Sequence, residues 1–206
     1  MMIKVFEKNC SISGKKVFYL EQPEGMNTIL FLHGKTYNSG DWLKLNRTIE
    51  ALHDLQYKFY AVDFPGFGRS EKNNLDPVDF IDAFITEIQL NDFVLVGPSM
   101  SGGYALKFAL KYPALLKGLV AMAPAWIENE IEHFSEIEIP VLLLAGEEDK
   151  IVDPEIVKKL HKVIPDSELH LFKGLGHPFY FEDEVLFKNH LIEFLLFNNL
   201  LGNALL

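Results

Sequence analysis

The 206-residue chain holds a single cysteine, Cys10, so no disulfide can form within it. That usage fits a reducing compartment, and a cytoplasmic location is expected. Long hydrophobic runs are missing too. No stretch reaches the roughly 18 uninterrupted apolar residues of a membrane span. The opening MMIKVFEKNC lacks the apolar centre of a signal peptide. Basic residues are scarce: 19 Lys and Arg stand against 29 Asp and Glu, a formal net charge of −10. Such acidity argues against nucleic acid or an anionic membrane as the main partner. No close His/Asp cluster has zinc-ligand spacing, and no G-x-G-x-x-G follows a strand-like run. Neither a metal nor a dinucleotide cofactor is expected.

What is present suits one globular domain over residues 1–206. About half the residues, 49%, are hydrophobic, and the 17 Phe imply a bulky core. The runs IKVFE and KKVFYLEQ read as strands joined by SISG, a hairpin. TILFLHG is a continuous apolar run ending at glycine, the pattern of a strand buried on both faces. GDWLKLNRTIEALHDL follows at helical spacing, with Asp41 as a cap. The alternation then repeats. KFYAVDFPGFG, DFVLVG, LKGLVAMAP, PVLLLAGEED and ELHLFKG read as strands. DPVDFIDAFITEIQL, SGGYALKFALKY, DPEIVKKLHKVI and YFEDEVLFKNHLIEFLLF read as helices. Asp76 precedes Pro77 and Asp153 precedes Pro154, each pair a cap with proline in the first turn. Strand and helix in turn predict an α/β fold: a mainly parallel twisted sheet, helices on both faces and an N-terminal antiparallel hairpin. The apolar tail IEFLLFNNLLGNALL reads as a docked last helix with a frayed end.

In such a sheet, chemistry gathers at the C-terminal ends of strands. The ends here carry His33-Gly34, Asp63, Gly97 to Ser101, Asp149 and, one loop after the last strand, His177. VLVGPSMSGG offers two serines, each at the centre of a near miss of G-x-S-x-G. Around Ser99 the flanking small residues are Gly97 and Ser101; around Ser101 they are Ser99 and Gly103. Strand length favours Ser99, because the apolar run FVLV stops at Gly97 and an exposed apex belongs two residues later. Placing the apex at Ser101 would carry the strand through Pro98, which suits a central strand badly. The bland alternative is that Ser99 only caps the next helix.

A serine hydroxyl needs a base to become a nucleophile, and the base needs an orienting acid. Asp149 ends the strand VLLLAGEE, and His177 lies in GLGHPF, which gives the chain order Ser…Asp…His. Glu147 is a rival for the acid, and Asp153 reads as a cap. Of the seven histidines, His53, His133, His161 and His190 fall in helical or polar stretches and His170 inside a strand. His33 reads as structural, its ring bonded to nearby backbone. An oxyanion needs backbone N–H donors; Met100, after the nucleophile, and Lys35, after FLHG, are the candidates.

The pieces FLHG, VDFPGFGRS, LVGPSMSGG, LLLAGEED and GLGHPF, in this order, resemble the α/β-hydrolase family. The P-S-x-S-G turn resembles its small CIB-like branch. The resemblance implies a triad of Ser99, Asp149 and His177, with DFPGFGRS shaping the site. Many α/β-hydrolases insert a helical cap before the acid's strand. Here only IENEIEHFSEIE, about a dozen residues, separates LVAMAPAW from IPVLLL, enough for one short helix or loop. A cap domain is therefore not expected. The open mouth is rimmed by Lys35, Trp126 and Phe179. The expected activity is carboxylic ester hydrolysis through an acyl-enzyme on a small acyl substrate. Deacylation of amides or thioesters on a larger acylated molecule is the alternative. C–C hydrolysis and peroxidase chemistry share the same triad, and a binding protein can keep the fold without activity.

Overall fold

The structure is a computed structural model that describes residues 3–200. Its first two strands, β1 (Phe6–Ile12) and β2 (Lys15–Gln22), form the expected hairpin. Ser13 and Gly14 make the turn, with φ of 52° and 73°. Two left-handed residues in a row match the twist of the flanking strands, and glycine at the second position adopts that backbone freely. The first strand starts three residues later than its apolar run suggests. Pairing spreads outward from the turn, from Ile12 against Lys15 to Phe6 against Glu21, and so recruits polar residues into an exposed edge.

The remaining strands are β3 (Asn27–Phe31), β4 (Tyr57–Val62), β5 (Phe93–Pro98), β6 (Leu116–Met122), β7 (Val141–Gly146) and β8 (Ser167–Phe172). They complete an eight-stranded sheet in the order β1-β2-β4-β3-β5-β6-β7-β8. Pairing is parallel from β4 through β8, and β2 is antiparallel to both its neighbours. The helices are α1 (Asn46–Asp54), α2 (Pro77–Glu87), α3 (Met100–Lys111), α4 (Pro154–Val163), α5 (Phe179–Glu182) and α6 (Glu184–Phe197). Side chains alternate across the central strands. Phe93 and Leu95 of β5 join Phe84, Phe108 and Leu160 from α2, α3 and α4. Val94 and Val96 join Leu52 and Leu191 from α1 and α6 on the other face. Period-two burial on both sides is what a sheet between two helical layers requires.

Two segments that read as one helix are split. Ser39–Lys44 is a 3-10 turn capped by Asn38, and α1 begins only at Asn46. Asp41 is not the cap itself; its carboxylate reaches back to the Asn38 N–H and completes a capping box. Later in the chain, Asp183 ends α5 and caps α6, accepting from Leu186 N–H. The caps at Asp76 and Asp153 stand as expected, accepting from Val78 and Glu155 N–H. Residues 123–140, between β6 and β7, hold one 3-10 helix, Ile131–Glu136, and no separate cap domain. Among the described residues, no helix is long and apolar enough to cross a membrane. The last residues of the apolar tail, 201–206, lie outside the described ones.

Candidate active site

Strand order reverses at β3 and β5: β4 lies on one side of β3, and β5 with all later strands on the other. The loops leaving these two strands diverge, and the crevice between them is where a doubly wound sheet places its ligands. One loop is Gly34–Asn38. The other is the turn from β5 into α3, and it is sharp. Ser99 has φ 53° and ψ −120°, a region that non-glycine residues avoid at a cost of about 1–3 kcal/mol. Its surroundings over-determine it. Ser99 N–H donates to Met122 O at 2.7 Å, and its carbonyl accepts from Ala125 N–H at 3.0 Å and Gly103 N–H at 3.2 Å.

Gly97 and Gly103 make that turn possible. A methyl group on Gly97 would come 2.6 Å from the Ser101 carbonyl oxygen, and one on Gly103 would come 2.1 Å from that of Ala125. Ser101, in the first turn of α3, needs no such freedom. It is fully buried, and its hydroxyl donates to Pro98 O at 3.0 Å. Pro98 itself belongs to β5, one residue beyond the sequence-based strand end. The ladder with β3 has already stopped at Val96, so Pro98 pairs only with β6, against Met122. A proline is tolerated where one flank of the strand is free.

The acid and base candidates meet. His177 Nδ1 lies 2.7 Å from Asp149 Oδ2, the imidazole donating to the carboxylate. The other carboxylate oxygen accepts from the N–H groups of Ile151 and Val152. Burial disfavours the Asp149 charge, but the His177 ring and those two N–H groups outweigh it and hold the carboxyl below its ordinary value. Glu147 and Glu148 are exposed, whereas Asp149 is buried. Gly34 brings the β3 loop against the elbow: a methyl there would lie 3.8 Å from Ser99 Cβ and 3.4 Å from the Tyr37 ring. Lys35 is the next residue. Met100 is buried at the start of α3.

His33 is locked into the scaffold. Phe64 N–H donates to its Nε2 at 3.0 Å, so that nitrogen is unprotonated and Nδ1–H donates to Gly34 O at 2.8 Å. Burial holds its pKa below the ordinary histidine value. Asp63 works alongside it, accepting from Ser39 N–H and Arg69 N–H. Gly68 lies so close that any side chain there would strike the Asp63 carboxylate at 2.1 Å. DFPGFGRS thus folds around a buried carboxylate and braces the β3 loop.

Trp126 is half exposed, and it follows Ala125, whose N–H donates to Ser99 O. Phe179 is not on the rim. It is 1% exposed and packs on Phe172 at 5.0 Å, because α5 turns its first residue into the core. The aromatic pair on that side is Tyr37 with Phe181, 5.1 Å apart. Together with Lys44, Leu45 and Glu184 they line a recess of about 330 Å³. Tyr37 lies in the loop after β3 and Phe181 in α5, far apart in the chain, and no motif marks either. A groove of about 920 Å³ opens at the other end of the sheet, by Val141 and Ser167 where β7 and β8 begin. No three His, Cys, Asp or Glu side chains among the described residues gather as metal ligands.

Fold and crevice together define a hydrolase scaffold of the α/β type. The family model of the alpha/beta hydrolase fold matches residues 27–137, and one described as serine aminopeptidase S33 matches residues 126–184. The chain belongs to the α/β-hydrolase family. It is 32% identical over 190 residues to mouse "Protein ABHD14A", covering 87% of this chain and 76% of that protein. It is 27% identical over 206 residues to the rat "Putative protein-lysine deacylase ABHD14B", covering 94% and 97%. A Thermoplasma acidophilum structure described as a "predicted CIB-like hydrolase" is 29% identical, with a TM-score of 0.88 over 95% of this chain and 99% of that one.

Proposed function

We propose that the 206-residue chain is one catalytic domain, a serine hydrolase that cleaves carboxylic esters through an acyl-enzyme. Ser99 is the nucleophile, His177 the base and Asp149 the group that orients it. The observation that carries this reading is the Ser99 backbone: a non-glycine residue held in a strained conformation at the strand crossover. Such strain persists at sites where it positions a reacting group.

In this reading Ser99 Oγ attacks the ester carbonyl as His177 Nε2 takes its proton. Asp149 fixes the tautomer, because its bond to Nδ1 leaves Nε2 free to accept. The N–H groups of Met100 and Lys35 receive the developing oxyanion, a role worth about 10²–10³-fold in rate for a single donor. His177 returns the proton to the departing alcohol. Water then repeats the sequence on the acyl group, releasing the acid and freeing Ser99. No cofactor enters these steps.

A second reading is amide deacylation on a larger acylated partner. It is favoured by the relative named as a protein-lysine deacylase and by the short connection between β6 and β7, which leaves the crevice open. Turnover of p-nitrophenyl esters of increasing chain length, set beside an acyl-lysine peptide, separates the two. Ser99→Ala is expected to lower kcat/KM on the preferred substrate by about 10⁴-fold or more. Retained turnover in that variant overturns the assignment.

A further inference from the structure

Trp126 has φ 63° and is 50% exposed. A bulky residue in the left-handed region is an outlier, and nothing in the core rewards this one. Its backbone is fixed from below, since the preceding residue donates from Ala125 N–H to Ser99 O at 3.0 Å. One face of the crevice thus holds a large ring aimed at solvent, one residue from an atom bonded to the elbow. Lys35 approaches from the other loop, one residue after Gly34, where an added methyl would lie 3.8 Å from Ser99 Cβ. Its Nζ lies 5.8 Å from the centre of a Trp126 ring, and the indole rests in turn near Tyr104, at 6.1 Å.

In the other three cation–aromatic pairs among the described residues, the cation also meets a carboxylate. Lys8 over Phe6 pairs with Glu21, Arg69 over Phe18 with Glu7, and Lys111 over Tyr112 with Asp79. Among the described residues, Lys35 makes no ion pair. In a chain with a net charge of −10, an exposed cation beside the crevice that no carboxylate of the chain neutralises can attract an anion. We infer that Lys35 and Trp126 form a specificity subsite for esters that carry a second, ionised carboxylate. The Lys35 ammonium receives the carboxylate, and the indole packs against the short chain that links it to the scissile carbonyl. This rests on the serine hydrolase reading and names its substrate class.

Two pairs of esters test it and locate the charge. Mono-p-nitrophenyl glutarate against p-nitrophenyl butyrate puts the carboxylate on the acyl side; 4-acetoxybenzoate against phenyl acetate puts it on the leaving group. Within each variant the neutral ester is the internal reference, whatever its absolute rate. The wild type should favour the anionic ester in at least one pair. Lys35→Met should cut that preference by about 1.5- to fivefold, the range of a solvent-exposed ion pair, and Lys35→Glu should reverse it. Added salt should shrink it in the wild type alone. Trp126→Gly, which suits the positive φ, should weaken it too. A ratio unchanged in Lys35→Met for both pairs overturns the subsite while neutral turnover keeps the hydrolase reading. Should no ester turn over, that reading fails instead, and the subsite is judged by titrating glutarate against Trp126 fluorescence. Quenching that Lys35→Met abolishes upholds it, and no quenching overturns it. Trp42, the other indole, is 3% exposed.

Discussion

Replacing Ser101 separates the two serines of GPSMSGG. The Ser101 side chain is fully buried and donates one hydrogen bond, to Pro98 O at 3.0 Å. Ser101→Ala removes that bond, a loss of about 1–1.5 kcal/mol, and recovers about 0.5 kcal/mol of helix preference. The net cost is near 1 kcal/mol. Ser101→Gly also loses the bond, adds about 0.5 kcal/mol of helix penalty relative to serine and empties the space of a Cβ. Its cost comes to about 2 kcal/mol. In a chain of this length each kcal/mol moves Tm by about 2–4 °C. Expected decreases are therefore about 2–4 °C for alanine and about 4–8 °C for glycine. Scanning calorimetry reads the shift, and ester turnover on the same samples reads the chemistry. Both variants should keep kcat/KM within about tenfold, since this hydroxyl is held by Pro98 and away from the crevice. A raised Tm in Ser101→Gly would refute the buried bond as a stabiliser. Loss of turnover in a folded Ser101→Ala protein would refute the division of labour.

Two other outcomes follow from the charged groups. Asp149→Asn turns an acceptor into a possible donor toward His177 Nδ1, so the ring takes the wrong tautomer. Turnover should fall by about 10⁴-fold with the fold intact, because the Ile151 and Val152 N–H bonds survive on the amide oxygen; a loss under about tenfold would contradict that role. Stability should also fall in acid. Burial lowers the pKa of His33, and burial with neighbouring His170 lowers that of His190. The unfolded chain therefore binds more protons below about pH 6.5, so stability is full above that value and declines as pH drops. The urea midpoint should be lower at about pH 5.5 than at about pH 7.5, and His190→Gln should lessen the drop; equal midpoints would contradict it.

The parallel sheet was legible because buried strands leave short continuous apolar runs, and TILF and FVLV each stop at or near a glycine. Element breaks were less so. Leu45 interrupts the helix yet is buried, so the apolar spacing runs straight through the break. Asp183 caps α6 from inside a helical pattern, and nothing local separates it from a surface acid. The strand-end residues of the crevice stood out because their neighbours are glycines with steric reasons to be there. The crevice walls did not. Phe179 follows His177 closely, and only the direction of α5 sends it inward. Tyr37 meets Phe181 through tertiary contact alone, and no spacing predicts it.

The central claim is that Ser99, and not its neighbour two residues on, is the activated nucleophile. Labelling with a fluorophosphonate probe and mapping the modified peptide tests it most directly, since both serines lie in one stretch and fragmentation tells them apart. The adduct should fall on Ser99, vanish in Ser99→Ala and persist in Ser101→Gly. An adduct on Ser101, or none on folded protein, would contradict the account.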